Sequence, residues 1–316
     1  MKISWKFVAI LSLSIALLPS PALANGGSAL LWTGIIHLFI GNSVIGYIEG
    51  GMLSKWFHVP RGKATSILII ANYASAWGGM LLLAVVLSSN SMITIENIHN
   101  WLYIFWTIAF LFTLIIEYPF FSFLVRKQQN SWQTSVKATI IIHGISYFFL
   151  FGWYALTSYN SMLNQLDIVS AAQLQPKEEY VMYFINSEGN QAVRSNLQGK
   201  DQETIELSEF QAFVPEEVSN FGPVPQPNEN TNWQYYLGML SPAGGIAGYH
   251  KSENLSLKLN LETPLASWRV SHATHLEGDF VVFQLGDDQI CILHPEQRKM
   301  ALIARGSKPI VVKAQS

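Results

Sequence analysis

Four residues able to carry charge or strong hydrogen bonds interrupt otherwise apolar stretches in the first half of the chain: Glu49, Asn72, Glu117 and His143. An ionisable group inside a bilayer is costly unless paired or hydrated, so such residues are expected either to do chemistry or to hold helices together. Two carboxylates and an imidazole can pass a proton near neutral pH or ligate a cation, and an amide can orient them. Their spacing from basic residues is regular. Glu49 precedes Lys55 by six residues and His143 follows Lys137 by six, while Asn72 follows Lys63 by nine and Glu117 precedes Arg126 by nine. With a helical rise of about 1.5 Å per residue, all four fall roughly 9–14 Å in from one membrane face. They form an intramembrane polar layer, read either as a proton or cation site or as interhelical glue. Asn42, Gly46 and Glu49 share one helical face, as do Asn72, Ser75 and Gly79, and small residues on such stripes allow close backbone approach. Pro119, two residues after Glu117, is expected to kink its helix and free backbone carbonyls. His37 falls near the opposite end and reads as a packing or interface residue. Gly41-Asn42, Gly50-Gly51 and Gly78-Gly79 read as packing contacts rather than phosphate-cradling turns.

The elements that must position this layer are four apolar stretches long enough to span a bilayer, Ala29–Leu53, Ala64–Ser88, Trp101–Val125 and Ala138–Ser158. Half of the 316 residues are apolar and 13% are charged, well below the quarter or so usual for soluble domains. Charge is also unevenly placed: residues 1–159 hold only 3 of the 21 acids, and residues 160–316 hold 18 acids against 11 Lys and Arg. The acidic second half argues against a nucleic-acid partner. The chain thus divides into a four-helix transmembrane domain, 25–159, a linker, 160–175, and a β-rich domain, 176–316.

Orientation follows from two independent signals. Residues 1–24 carry Lys2 and Lys6, an apolar run Phe7–Leu18, and Ala22-Leu23-Ala24, the three-part pattern of a secretory signal peptide. The run is too short to span by itself. The loop after the first stretch carries Lys55, Arg61 and Lys63, and the loop after the third carries Arg126, Lys127 and Lys137. The second loop, 89–100, carries no Lys or Arg. The positive-inside rule places the two basic loops in the cytoplasm and returns the chain outside after the fourth helix. The expected location is a bacterial-type inner membrane, with the C-terminal domain on the extracytoplasmic, periplasmic side. Trp56, Trp101, Trp132 and Tyr159 fall near the expected interfaces.

The helices read as a duplicated hairpin. Ile48-Glu49 and Ile116-Glu117 each precede a basic loop, and Lys63-Ala64-Thr65, Tyr73 and Gly78 recur as Lys137-Ala138-Thr139, Tyr147 and Gly152 at a constant offset of 74 residues. Both hairpins run in the same sense, the pattern of a parallel repeat.

In the second half, strands are expected over Glu179–Ile185, Gln191–Leu197, Glu203–Leu207, Trp233–Leu240, Gly245–His250 and Leu255–Leu261, with three more in 279–305. A Pro-rich connector occupies 214–232. The units YFINSEGNQAVRSNLQG and FQLGDDQICILHPEQRKMALI resemble single β-propeller blades, without a diagnostic motif. A stand-alone propeller usually takes at least four blades, so the expected fold is a small antiparallel sandwich or an incomplete propeller. The lone Cys291 excludes an intrachain disulfide and a CxxC motif and reads as a core thiol. His250, His272, His275 and His294 lack metal-ligand spacing and read as solvent-exposed. Ser241, Asp279 and His294 lack a nucleophile elbow.

No catalytic residue, metal site or cofactor is expected from these motifs. The leading expectation is a non-enzymatic membrane component whose β domain binds a partner, the helices meeting lipid and other membrane or extracytoplasmic proteins. The alternative is a transporter or ion-pathway subunit working through the Glu/Asn/His layer, which with four helices implies a homo-oligomer.

Overall fold

The structure is a computed structural model of the 316-residue chain. It describes residues 34–87, 92–213, 222–225, 231–238, 245–263, 265 and 268–314. The signal-peptide pattern, the first residues of the first apolar stretch, Ser241 and most of the Pro-rich connector lie outside the described residues.

The N-terminal half is an up-and-down helical bundle. A π-helical turn, His37–Gly41, leads directly into α1, Asn42–Phe57. His58 adopts a left-handed conformation that ends α1, and Pro60 directly precedes α2, Arg61–Leu87, accepting the Ala64 amide at 3.0 Å. Then come α3, Ile98–Val125, and α4, Ser131–Thr157, the latter entered through left-handed Asn130. Three of these helices, α3, α4 and the Arg61–Leu82 part of α2, are long and apolar enough to cross a membrane. The outward face of the bundle is correspondingly apolar, with Leu81, Ile115, Phe148 and Leu156 exposed, as lipid contact requires and water would penalise.

Glycine sets the closest approach. A Cβ on Gly46 would lie 2.6 Å from Ile69 Cα, and one on Gly50 would lie 2.5 Å from Thr65 Cα, so α1 and α2 meet backbone to backbone over a Gly-x-x-x-Gly stripe. Gly51 faces open space and Gly78 lies against the Phe112 ring. At the basic-loop end, Leu53, Leu68, Phe121, Val125 and Ile142 close the bundle core, and Gln128 donates to the Phe57 carbonyl at 2.6 Å, joining the two basic loops.

Beyond α4 the chain makes a short helix, α5, Met162–Gln165, and a two-residue strand, β1, Asp167–Ile168. The β domain follows: β2 (Tyr180–Asn186), β3 (Ala192–Asn196), β4 (Glu203–Ile205), a helix α6 (Leu207–Phe213), β5 (Gly222–Pro223), β6 (Trp233–Leu237), β7 (Gly245–His250), β8 (Ser256–Asn260), β9 (Val270–Leu276), β10 (Phe280–Leu285), β11 (Gln289–His294) and β12 (Lys299–Lys313). One antiparallel sheet runs β4-β3-β2-β12-β11-β10-β9, with β1 added in parallel beside β12. A second sheet runs β5-β6-β7-β8.

The large sheet curls into a half-barrel on β12. Its first part, from Lys299 to Arg305, pairs with β11, and its second, from Gly306 to Lys313, pairs with β2. The bend falls at Gly306, where a Cβ would lie 2.4 Å from the Ile185 carbonyl oxygen, and at Lys308, with φ 53°. The two blade-like units are therefore joined edge to edge through β12 rather than radiating as separate blades.

The β domain and the bundle share a core. Ile93, Ile95, Ile98 and Phe105, from the second loop and the start of α3, pack with Trp233, Tyr235, Phe283 and Cys291. Gln289 accepts the Ile95 amide at 2.8 Å, and Met162 donates to the Glu262 carbonyl at 2.9 Å. The second loop and the β domain thus occupy one end of the bundle, and both basic loops occupy the other.

Candidate functional site

All four residues of the sequence-derived layer are buried and lie side by side in the bundle. Each of the four helices supplies one. Glu49 comes from α1, beside the Gly46 and Gly50 contact that draws α2 close enough for Asn72 Nδ2 to donate to Glu49 Oε2 at 2.6 Å. One turn along α2, Ser75 Oγ donates to Glu117 Oε1 at 2.6 Å. On α4, His143 Nε2 lies 3.2 Å from Glu117 Oε2, and Ser146, one turn on, places its hydroxyl against Glu49 as well as the Ile142 carbonyl. Two polar residues on α2 and two on α4, each pair one turn apart, therefore bridge both carboxylates.

The histidine contact fixes a tautomer. His143 Nδ1 lies 2.8 Å from the Thr139 carbonyl oxygen. A carbonyl only accepts, so Nδ1 carries a hydrogen. In neutral imidazole this leaves Nε2 as a lone pair, facing a carboxylate oxygen that is also an acceptor. Neither Glu117 Oε2 nor His143 Nε2 makes an aligned hydrogen bond, and both atoms are buried. Two facing acceptors repel unless a proton or a cation sits between them.

Glu49, Glu117 and His143 each offer a ligand atom within 4.8 Å of the other two, the one such group among the described residues. Two further buried hydroxyls, Thr65 Oγ1 and Ser135 Oγ, lack a hydrogen-bond partner. By helical spacing Thr65 shares a face with Asn72, and Ser135 shares one with Thr139 and His143, on the side toward the basic loops.

At the opposite end His37 Nδ1 lies 2.9 Å from the Tyr154 hydroxyl, with the rings edge to face, a helix-to-helix contact as the sequence suggested. The 74-residue offset between Tyr73 and Tyr147 was read from sequence, but the matching partners of their hydroxyls were not. The Tyr73 hydroxyl donates to the Phe39 carbonyl and meets Ser43 Oγ at 2.9 Å. The Tyr147 hydroxyl donates to the Ala109 carbonyl at 3.1 Å and meets Thr113 Oγ1 at 2.7 Å. The tyrosines are 74 residues apart and both of their partners are 70 apart. Ser146 was also missed, although its position one turn from His143 was the available signal. Pro119 lies inside α3, where its missing amide deprives the Ile115 carbonyl of its helical donor.

The β-domain histidines are less exposed than expected. His275 is fully buried with Nε2 3.2 Å from Asp279, and His294 is buried against the Phe280 ring and accepts the Gln297 amide at 3.3 Å. Burial holds the His272 and His294 imidazoles below their usual pKa, with Lys308 adding to the effect at His272. Asp279 thus pairs with His275, and Ser241 lies outside the described residues. Cys291 is a buried free thiol, its pKa pushed up by burial. No family model matches the chain, and no curated protein matches it significantly.

Proposed function

We propose that the chain is an integral membrane protein whose bundle binds and releases protons or a cation at the Glu49, Asn72, Glu117 and His143 cluster, as a subunit of an ion pathway. In this reading four helices, related as two hairpins, cross a bacterial-type inner membrane. The basic loops lie in the cytoplasm and the β domain outside. The observation that carries the reading is the pair of facing acceptors, Glu117 Oε2 and His143 Nε2, in a buried site that also holds Glu49. Interhelical glue would be served by matched donors and acceptors, whereas this site is complete only with an added positive charge. The matched tyrosine contacts of the two hairpins support the duplication. Four helices enclose little pathway, so the working unit is a homo-oligomer or a complex with other membrane proteins.

The test is reconstitution of the full chain into liposomes containing a pH-sensitive dye. Under an imposed gradient, wild type should pass protons or cations, and Glu49→Gln or Glu117→Gln should reduce the flux at least tenfold. Wild-type flux no greater than that of empty liposomes would sink the proposal.

A second reading gives the β domain a partner. The half-barrel ends on strands β4 and β9, which have no further neighbour among the described residues, and Tyr249 and Leu255 are exposed apolar side chains at the β7–β8 hairpin. Crosslinking from native membranes should then recover a stoichiometric extracytoplasmic protein, lost on Tyr249→Ser with Leu255→Ser.

A further inference from the structure

We infer that Glu49, Glu117 and His143 form a binding site for one divalent first-row transition metal ion of the Zn2+ and Mn2+ class. The inference rests on the reading of the cluster as an ion site and specifies its occupant. Two ligands about 2.1 Å from a tetrahedral ion stand ~3.4 Å apart, and His143 Nε2 and Glu117 Oε2 stand 3.2 Å apart. The Glu49 carboxylate is within 4.8 Å of both, a distance that a small side-chain rotation closes.

The groups around the three ligands are arranged as an outer shell. Metal-binding histidines characteristically donate their second ring N–H to a backbone carbonyl or carboxylate, and ligating carboxylates are themselves hydrogen-bonded. Here His143 Nδ1 is held by the Thr139 carbonyl, Glu49 Oε2 by Asn72, and Glu117 Oε1 by Ser75. For His143 and Glu117 the remaining atom is buried without an aligned hydrogen bond and is left for an ion, while Glu49 also meets the Ser146 hydroxyl, which a bound ion would have to share or displace.

Charge selects the valence. Two carboxylates and a neutral imidazole sum to −2, so a divalent ion gives a neutral complex, which a low-dielectric bundle tolerates and a monovalent ion does not provide. The imidazole selects the class. Mg2+ and Ca2+ prefer larger all-oxygen shells, whereas Zn2+ and Mn2+ accept mixed nitrogen and carboxylate sets. The buried Thr65 and Ser135 hydroxyls, which lack a hydrogen-bond partner, lie by helical spacing on the basic-loop side of the cluster. Three of the six basic side chains there are engaged elsewhere: Arg61 donates to the Tyr47 hydroxyl at 2.9 Å, and Lys63 and Arg126 lie over the Phe123 ring.

The test uses the full-length protein in detergent, stripped with chelator and dialysed against Zn2+, Mn2+, Mg2+ or Ca2+ before elemental analysis. The expected result is one Zn2+ per chain, bound at least 100-fold tighter than Mg2+ or Ca2+. Affinity should fall at least 100-fold in His143→Gln. It should fall about 10- to 100-fold in Ser75→Ala, which keeps all three ligands but frees Glu117. Mn2+-loaded wild type should show nitrogen coupling in pulsed electron paramagnetic resonance. Should His143→Gln fail to fold, Ser75→Ala and the nitrogen coupling decide. Sub-stoichiometric Zn2+ in wild type, or equal binding by His143→Gln, overturns the inference. Glutamate-dependent proton flux by protein that binds no Zn2+ overturns the metal site and leaves the proton pathway standing. Zn2+ bound through His143 without any flux supports the site and removes the pathway.

Discussion

At the scale of single residues, the energetic question is how Glu117 is tolerated at 0% exposure. Its partners are Ser75 on one oxygen and His143 on the other. Removing one partner of a buried charge pair typically costs about 3–5 kcal/mol, whereas replacing both with apolar groups can be neutral. His143→Leu should therefore lower the melting temperature of the detergent-solubilised protein, followed by circular dichroism, more than the double variant His143→Leu, Glu117→Leu does. An equal loss in both would mean that the pair contributes nothing to the fold. The β domain carries a different titration. Burial holds the His272 and His294 imidazoles below their usual pKa, so the unfolded chain takes up protons more readily than the folded one. Their contribution to stability is present above the usual histidine value of 6.5 and is lost as pH falls below it. Tryptophan fluorescence should report a lower unfolding midpoint in denaturant at pH 5.5 than at pH 7.5, and His294→Gln should narrow that gap. The polar layer was legible because each member could be counted inward from a basic residue. The His143 tautomer was not, since it depends on a rotamer that brings Nδ1 to the carbonyl one turn back.

At the scale of elements, helix spacing located the faces but not the depth of contact between them. Gly46 and Gly50 both belong to the α1 stripe, yet only the packed structure shows that each lies against the α2 backbone, while Gly51 faces open space. Gly46→Leu or Gly50→Leu should force α1 from α2, break the Asn72 to Glu49 hydrogen bond and lower the melting temperature by several degrees. Gly51→Ala should leave it within about a degree, consistent with a site that has room. In the β domain, alternation and turn residues located most of the strands. Strand β9 escaped because Val270–Leu276 intersperses histidine, serine and threonine among few apolar positions, a weak period-two signal. The last of the three strands expected within 279–305 runs on as β12 to Lys313, through Gly306. The glycine is the bend that lets one strand serve both parts of the curled sheet. A bend of this kind is set by the close approach of Ile185, which no local pattern records.

At the scale of the whole molecule, the decisive feature is that the second loop enters the β-domain core. Ile93, Ile95 and Ile98 are buried there with Cys291 and Phe283, and the Gln289 side chain caps the Ile95 amide. The end of the bundle lacking Lys and Arg in its loop is therefore the end that carries the β domain. The membrane sidedness implied by this arrangement can be read with cysteine labelling, because the one native thiol, Cys291, is fully buried and should give little background. Ser187→Cys, in the exposed β2–β3 turn, and Gln129→Cys, in the exposed loop between α3 and α4, report on opposite ends. In intact spheroplasts a membrane-impermeant maleimide should label the cysteine at 187 and spare the one at 129 until the membrane is permeabilised. Labelling of 129 alone would invert the topology and place the β domain in the cytoplasm. Labelling of both in sealed spheroplasts would mean that the bundle does not separate the two compartments.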